Sequence, residues 1–392
     1  MCVKVLGLLS FPPFPPLSGP QVRNFHLWPA LQRCGVEVRL LCLIGRQASG
    51  KFAGPPGVET EFCRYDRDGL PRRALEVVLH SYHQWPRSKA MAACVDDLVA
   101  SWRPDVIHAE ELRMAFYLPR MRGLKSASVE SVTFHNVESS LLGETGSWPF
   151  RFGRRLVSAL HSRSLTRFEQ QAASLADVAF AYSRDDLDAY RSIYPAARWA
   201  LTSNGVDAQG IVAAPQVAER NVLIVGSLSW GPNIRGLFWF LDHVLGRLGQ
   251  DVSVTVAGSS PTAEVRRRLA ASGVRLFDTP LDLGPLYARH ALCAVPLLEG
   301  SGTRGKILEA CAYERVVVTT SRGIQGLELK GAPGVDVADD PATFAERLRY
   351  WLDQPGQRAE AARATREVLL RRYDWSVVAK QLVDAWQRCA SR

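Results

Sequence analysis

The chain has 392 residues, enough for two or three domains that each bury a core of their own. Hydrophobic residues make up 47% and charged residues 22%, the balance of a soluble globular protein, and no apolar run approaches the roughly 20 residues that span a bilayer. A net charge of +9 suits an anionic substrate or surface, whereas zinc-finger spacing, an RNA-recognition signature and sustained basic–aromatic interleaving are all missing, so no nucleic acid partner is expected.

The run from Met1 to Ser10 is apolar with a single Lys, and Phe11-Pro12-Pro13-Phe14-Pro15-Pro16 follows without a small-residue cleavage site. It reads as a buried first strand rather than a signal peptide. Short β-branched runs then alternate with longer amphipathic ones, the pattern of an α/β protein with parallel sheets wrapped by helices. In the first half the predicted strands are Val3 to Leu9, Val36 to Leu43, Asp105 to Ala109, Ser128 to Phe134 and Val178 to Tyr182. Eight Cys stand singly, with no C-x-x-C pair, as expected of reduced core thiols in a cytoplasmic protein. Asp66-Arg67-Asp68 and Asp186-Leu187-Asp188 fit the D-x-D pattern of metal-dependent transferases, but neither follows a convincing strand. Both read as solvated loop or helix acids, and no catalytic metal is expected. Trp85, Trp102 and Trp148 read as packing residues.

Arg151, Arg154, Arg155, Arg163 and Arg167 form the densest basic stretch, with no acid between Glu144 and Glu169. The spacing predicts a helix with Leu156 and Leu160 on its core side. Its arginines are either an ordinary solvated face or a face for an anionic acceptor or inner membrane leaflet.

Turn residues Ser203-Asn204-Gly205-Val206-Asp207 and the Ala/Pro/Gln-rich segment Ala208 to Arg220 mark a join. They divide the chain into a first domain of residues 1–205 with 376–392 and a second of residues 206–375. The second half repeats the strand pattern at Asn221 to Val225, Val252 to Ala257, Val274 to Phe277, Leu292 to Pro296 and Val316 to Thr319. Three helical segments follow Pro341, the last from about Ser376 with Val377, Val378, Leu382, Val383 and Trp386 on one face. Trp230-Gly231-Pro232-Asn233 predicts a helix start with Asn233 as its N-cap.

The most informative run is Gly300-Ser301-Gly302-Thr303-Arg304-Gly305-Lys306-Ile307-Leu308-Glu309, where a strand breaks at small residues and restarts as a helix continuing through Glu314. Backbone N–H groups, the positive helix end and two cations then converge, an arrangement that suits a diphosphate. Glu309, two turns into that helix, is placed to accept hydrogen bonds from sugar hydroxyls of a nucleotide. Arg304 and Lys306 supply a planar fork and a point charge. Cations in a first helical turn oppose the helix dipole, and that misplacement favours a functional role over a solvated one. A nicotinamide-dependent dehydrogenase would carry G-x-G-x-x-G after the first strand, and Leu6 to Gly19 lacks it.

The run from Leu297 to Thr320 resembles the donor-binding signature of glycosyltransferase family 4. Pro12 to Gly19, Gly35 to Val38, Asp105 to Ala109, Thr133 to Asn136, Ser203 to Asp207, Val225 to Leu228 and Gly323 to Leu327 fall in that family's order. The resemblance implies a GT-B fold: two Rossmann-like domains facing a cleft, the first on the acceptor side, the second binding a nucleotide-sugar donor, with the C-terminal helix crossing back to the first. It also implies a retaining hexosyltransferase of glycan or glycoconjugate biosynthesis, with a sugar, lipid-linked or small-molecule acceptor. No cofactor is implied. Glu309 matches the family's ribose-binding acid and His135 the histidine beside the donor sugar; Gly19, Asn204, Gly226, Ser227, Gly302 and Thr303 match donor-binding positions. Two departures stand out. Ser301 replaces the first acid of the E-x7-E motif, leaving either Glu299 or the amides of the Gly-Ser-Gly turn to meet the sugar. Ser227 and the non-basic residues after it replace a cationic diphosphate clamp, whose role passes to Arg304 and Lys306. Alternatives on the same fold are a nucleotide-sugar epimerase and a phosphorylase, and a non-catalytic nucleotide-sugar-binding or nucleic-acid-binding protein is the alternative from another class.

Overall fold

The computed structural model describes residues 3–16, 19–45, 52–65, 88–135, 154–300 and 304–391, the side chains of 154–162 excepted. The chain divides into two compact units, Met1–Ser203 with Val378–Arg392, and Asn204–Val377.

The first unit is built on a seven-stranded sheet, β1 (Val3–Leu9), β2 (Val36–Ile44), β3 (Glu59–Arg64), β4 (Val106–Ala109), β5 (Val129–Phe134), β6 (Val178–Ala181) and β7 (Trp199–Leu201). Its order is β3-β2-β1-β4-β5-β6-β7, with every pairing parallel. β4, β5 and β6 are buried along their whole length, the condition of strands covered on both faces. The helices include α1 (Gly19–Arg33), α2 (Lys89–Ser101), α3 (Arg154–Leu175) and α4 (Arg184–Ile193). Ser88 caps α2 by accepting the Met91 N–H at 3.1 Å, and Ser183 caps α4 through Asp186 N–H at 3.0 Å.

The second unit repeats the plan with six parallel strands, β8 (Asn221–Val225), β9 (Ser253–Gly258), β10 (Arg275–Asp278), β11 (Leu292–Val295), β12 (Val316–Thr319) and β13 (Val335–Val337), in the order β10-β9-β8-β11-β12-β13. Its helices are α5 (Gly231–Trp239), α6 (Ala263–Ala271), α7 (Gly284–Arg289), α8 (Gly305–Ala312), α9 (Ser321–Ile324), α10 (Pro341–Asp353) and α11 (Pro355–Arg372). In each sheet the strand order reverses once, between β1 and β4 and between β8 and β11. Ligands of doubly wound sheets bind beyond the carboxyl ends of the strands at such a reversal.

The ten predicted strands are present to within a residue at either end, and three more were not foreseen. β3, β7 and β13 lie at sheet edges; β7 and β13 have three residues each, and β3 carries Glu59, Glu61 and Arg64. The last helix, α12 (Trp375–Ala390), begins a residue earlier than predicted and turns a different face inward. Val378, Ala379, Leu382, Ala385 and Trp386 are buried, whereas Val377 and Val383 are only half-buried. Small Ala379 and Ala385 complete an i, i+3/i+4 stripe that a count of large apolar residues overlooks. From Val378 onward the helix belongs to the first unit, where Trp386 donates its indole N–H to Ser131 of β5 at 2.9 Å. Burial of Leu382 and Trp386 contributes on the order of 2 kcal/mol each to holding the helix there.

Trp102 packs in the first core as predicted, while Trp85, Trp148, Asp66, Asp68 and Arg151 lie outside the described residues. In the basic segment Arg163 and Arg167 are exposed and Leu165 and Phe168 are buried; the side chains of Leu156 and Leu160 are outside the description.

Candidate functional site

In the second unit the chain leaves β8 at Gly226 and re-enters a helix at Gly231. Pro232 falls in the first turn of α5 and Trp230 takes the N-cap position without a side-chain bond. The expectation of Asn233 as N-cap is therefore corrected: the fixed φ of Pro232 starts the helix earlier. The Asn233 amide instead donates to the Ser227 carbonyl at 2.9 Å and accepts from the Lys306 ammonium at 2.8 Å. A β-carbon on Gly226 would stand 2.7 Å from the Asn233 amide nitrogen and 2.8 Å from Lys306 Nζ, so only glycine leaves the lysine head where it is.

Lys306 sits in the first turn of α8, and Arg304 in its N-cap position. Arg304 is buried, with Nη2 donating to the Gly300 carbonyl at 2.8 Å. Gly300, at φ +99°, turns that carbonyl back towards it. Neither cation is a solvated first-turn residue. Burial, helped by the neighbouring Arg304 charge and opposed by Glu309, pulls Lys306 down to about 7. Burial and then the like charge of Arg322 pull Arg304 down to about 10. Positive groups held this way without the usual solvation are poised for an anion, which would restore their ordinary basicity.

Glu309 follows Lys306 by three residues on one face of α8. The helix begins at Gly305 and ends at Ala312, so Glu309 lies one turn in rather than two, and the helix stops short of Glu314, whose φ is +55°. The Glu309 carboxylate accepts from the Tyr287 hydroxyl at 3.2 Å. Burial raises its pKa against the opposing effects of that hydrogen bond and Lys306. Asn204 lies beside the start of the same helix: its amide nitrogen is 4.0 Å from a β-carbon built on Gly305. Ser227 hydrogen-bonds Ser229 at 3.2 Å. Glu299 is ion-paired with Arg235 on an exposed part of the loop. Ser301, Gly302 and Thr303 lie outside the described residues.

In the first unit Gly19 opens α1, and a β-carbon there would meet no atom within 4 Å. His135 follows the last residue of β5. Its Nε2 lies 2.7 Å from the Glu110 carbonyl and 2.6 Å from the Tyr182 hydroxyl. Glu110 is fully buried against Arg23, with 2.6 Å between Oε1 and Nε. Burial is the largest single influence and would push this carboxyl up, but the Arg23 charge together with His108 and His135 outweighs it and holds the group well below the usual carboxylate range.

Asp186 and Asp188 sit in the first turns of α4, the former bonded to its capping Ser183 and the latter 3.8 Å from Arg191. Among the described residues no three His, Cys, Asp or Glu side chains cluster as metal ligands. Sequence reasoning missed Asn233 as the lysine's partner, Tyr287, Arg322 and the buried trio Arg23, Glu110 and Tyr182. Glu110 alone carried a signal, as an acid directly after the predicted strand Asp105 to Ala109.

Two parallel sheets of Rossmann order, each with polar groups gathered beyond the strand ends at its reversal, define a doubly wound α/β protein of two like halves. Residues 18–205 match the family model of the glycosyl transferase 4-like domain and residues 219–354 that of the glycosyl transferases group 1. The chain belongs to the group 1 glycosyltransferases and has the GT-B fold. It is 27% identical over 293 residues to a glycogen synthase of Mycobacterium tuberculosis, across 71% of this chain and 67% of the relative. It is also 28% identical over 139 residues to an uncharacterized 44.6 kDa protein in the cps region of Klebsiella pneumoniae, but spans only 36% of that relative's length. Among solved structures, sucrose-phosphate synthase from Thermosynechococcus elongatus superposes with a TM-score of 0.75 at 14% identity, covering 99% of both chains. Anabaena HepE in complex with UDP and glucose superposes with a TM-score of 0.68 at 14% identity, covering 98% of this chain and 100% of the other. No helix among the described residues is long and apolar enough to cross a membrane.

Proposed function

We propose that this glycosyltransferase moves a sugar from a nucleotide-diphosphate-sugar to an acceptor hydroxyl with retention at the anomeric carbon and without a divalent metal. The observation that carries this reading is the cradle of Gly226, Asn233, Lys306 and Glu309 beyond the ends of β8 and β11. It offers a close backbone approach, a desolvated ammonium and a carboxylate on one helical face. The HepE complexes with UDP and with UDP-glucose make UDP-glucose the first donor to try.

In this mechanism the Glu309 carboxylate accepts hydrogen bonds from the ribose hydroxyls, and Lys306 and Arg304 stabilise the negative charge that grows as the diphosphate leaves. The departing phosphate oxygen takes the acceptor proton on the same face of the sugar, so no protein nucleophile is needed. Remaining catalysis is positioning, to which His135 and Gly19 in the first unit contribute. The exposed Arg163 and Arg167 suit an anionic acceptor such as a lipid-linked phosphate, and salt-sensitive co-sedimentation with anionic vesicles tests that assignment.

The test of the reaction is nucleotide release from a panel of nucleotide sugars, with and without EDTA, followed by product anomer analysis. UDP release from UDP-glucose that persists in EDTA supports the reading. Release that stops in EDTA and returns with Mn²⁺ overturns its metal independence, and an inverted anomer overturns retention.

A further inference from the structure

Buried polar groups must satisfy one another, and in the first unit a connected set of them does so around Glu110. The indole N–H of Trp386 can only donate, and it donates to Ser131 Oγ at 2.9 Å. The Ser131 hydroxyl in turn lies 2.8 Å from His108 Nδ1. Nε2 of His108 lies 3.0 Å from Glu110 Oε2, which as a carboxylate only accepts, and 3.1 Å from the Thr133 hydroxyl, so Nε2 carries the proton that Glu110 accepts. The other carboxylate oxygen accepts from Arg23 Nε at 2.6 Å and from the Tyr182 hydroxyl at 3.1 Å. The Arg23 guanidinium also lies 4.5 Å from the centre of the Tyr182 ring, which fixes the plane of that ring. Arg23, His108 and Glu110 are at most 1% exposed, so water does not compete for these bonds.

This chain ends on His135. Its Nε2 faces the Glu110 carbonyl, which only accepts, and a Tyr182 oxygen whose own proton is already directed to Glu110. Both neighbours demand an N–H at Nε2. Among the described residues Nδ1 of His135 has no hydrogen-bond partner. We infer that Glu110 and Tyr182 are positioning residues that lock His135 as the Nε2–H tautomer, so that Nδ1 is the nitrogen presented to substrate, where it accepts a hydrogen bond from a sugar hydroxyl. The inference rests on the role given to His135 in the transfer reaction above. It adds which nitrogen acts and what holds it: an anionic anchor reached by Arg23 of α1, His108 of β4 and Tyr182, which follows β6.

The chemistry follows from the lock. A histidine free to exchange tautomers offers substrate a donor part of the time and an acceptor the rest; with Nε2–H held by two acceptors, only the acceptor form faces outward. The partner must then be a donor, such as a hydroxyl, and a phosphate oxygen is disfavoured while the ring is neutral. The net proton count of the site is unchanged by this bond.

The test is nitrogen NMR of protein labelled with ¹⁵N-histidine at a pH where the imidazoles are neutral, with His135 assigned by the signals lost in His135→Gln. The expected result is Nε2 in the protonated range and Nδ1 in the unprotonated range without averaging; a protonated or averaging Nδ1 overturns the inference. Glu110→Gln strands Arg23 in the core and can fail to fold, so Tyr182→Phe, which keeps the ring under Arg23, is the deciding variant. It is expected to shift the His135 Nε2–H resonance and to lower kcat for UDP release from UDP-glucose roughly tenfold with KM within about twofold, as a lost orienting contact does. Unchanged resonances together with an unchanged kcat overturn the inference. If wild-type protein shows the locked tautomer but His135→Gln releases UDP at the parental rate, the role of His135 in transfer fails while the assignment of the lock stands.

Discussion

Gly226 and Lys306 share one small volume: a β-carbon on the glycine would lie 2.8 Å from the lysine's ammonium nitrogen. Two segments 80 positions apart in the chain thus meet at the reversal of the second sheet, one contributing an absent side chain and the other a charge. The atoms that would be struck, the Asn233 amide at 2.7 Å and the lysine ammonium, belong to side chains and not to backbone, so the conflict resolves by moving both side chains rather than by unfolding.

Gly226→Ala should therefore leave the melting temperature within about 2 °C of the parent while weakening UDP-glucose binding about tenfold, the equivalent of roughly 1.4 kcal/mol. Calorimetric titration together with a thermal melt separates the two effects. A large loss of stability with unchanged affinity would show that the glycine serves packing alone.

Lys306→Met exchanges a costly charge for an apolar chain of similar length. The folded lysine titrates at about 7 against 10.5 ordinarily, chiefly through burial. Between those values the unfolded chain holds more protons, so stability rises with pH across that window, and below about 7 the whole cost is present. The ligand-free variant should melt higher than the parent at pH 6.5, by about 2–4 °C for each kcal/mol relieved, and should lose UDP-glucose binding. A variant that melts lower would mean that the Asn233 hydrogen bond outweighs desolvation.

Most of this architecture is legible in the sequence because central parallel strands are continuous β-branched runs: Val316-Val317-Val318-Thr319 has few alternatives. The edge strands were not legible. Glu59-Thr60-Glu61 has one face in water and no apolar signature, and three-residue β13 is too short to show a period. At the site, Arg304, Lys306 and Glu309 stand within six residues and declare themselves as a motif. Asn233 and Tyr287 are brought to them only by the fold, and a polar residue near a helix start reads locally as a cap. The Arg23–Glu110–Tyr182 network is assembled from α1 and the residues that directly follow β4 and β6, and no local pattern records such a meeting.

Glu309→Gln keeps the volume of the side chain and its bond from Tyr287 but removes the charge to which the proposed mechanism assigns the two ribose hydroxyls. Hydrogen bonds to a charged group are worth about 1.5–3 kcal/mol, so UDP-glucose affinity should fall roughly 10- to 100-fold. A free-sugar ligand such as glucose should be indifferent to the change. Equal affinity of the variant and the parent for UDP-glucose would remove the ribose assignment.

The pH dependence of donor binding tests the same cradle without any substitution. In the ligand-free protein burial holds Lys306 at about 7, and a diphosphate beside it favours the charged form and raises that value. Binding then takes up a proton at any pH between the ligand-free and bound values, and by linkage the affinity is highest below about 7 and falls as the pH rises above it. UDP-glucose is the informative probe, because both of its phosphates are esterified and neither titrates near neutrality. Titration calorimetry at pH 7.5 in two buffers of different ionisation enthalpy should show net uptake of up to about three-quarters of a proton in the parent and close to none in Lys306→Met, if enough binding survives to be measured. Where the variant binds too weakly, the parent decides alone, since an affinity that is flat from pH 6 to 9 with no proton uptake would place the diphosphate away from Lys306.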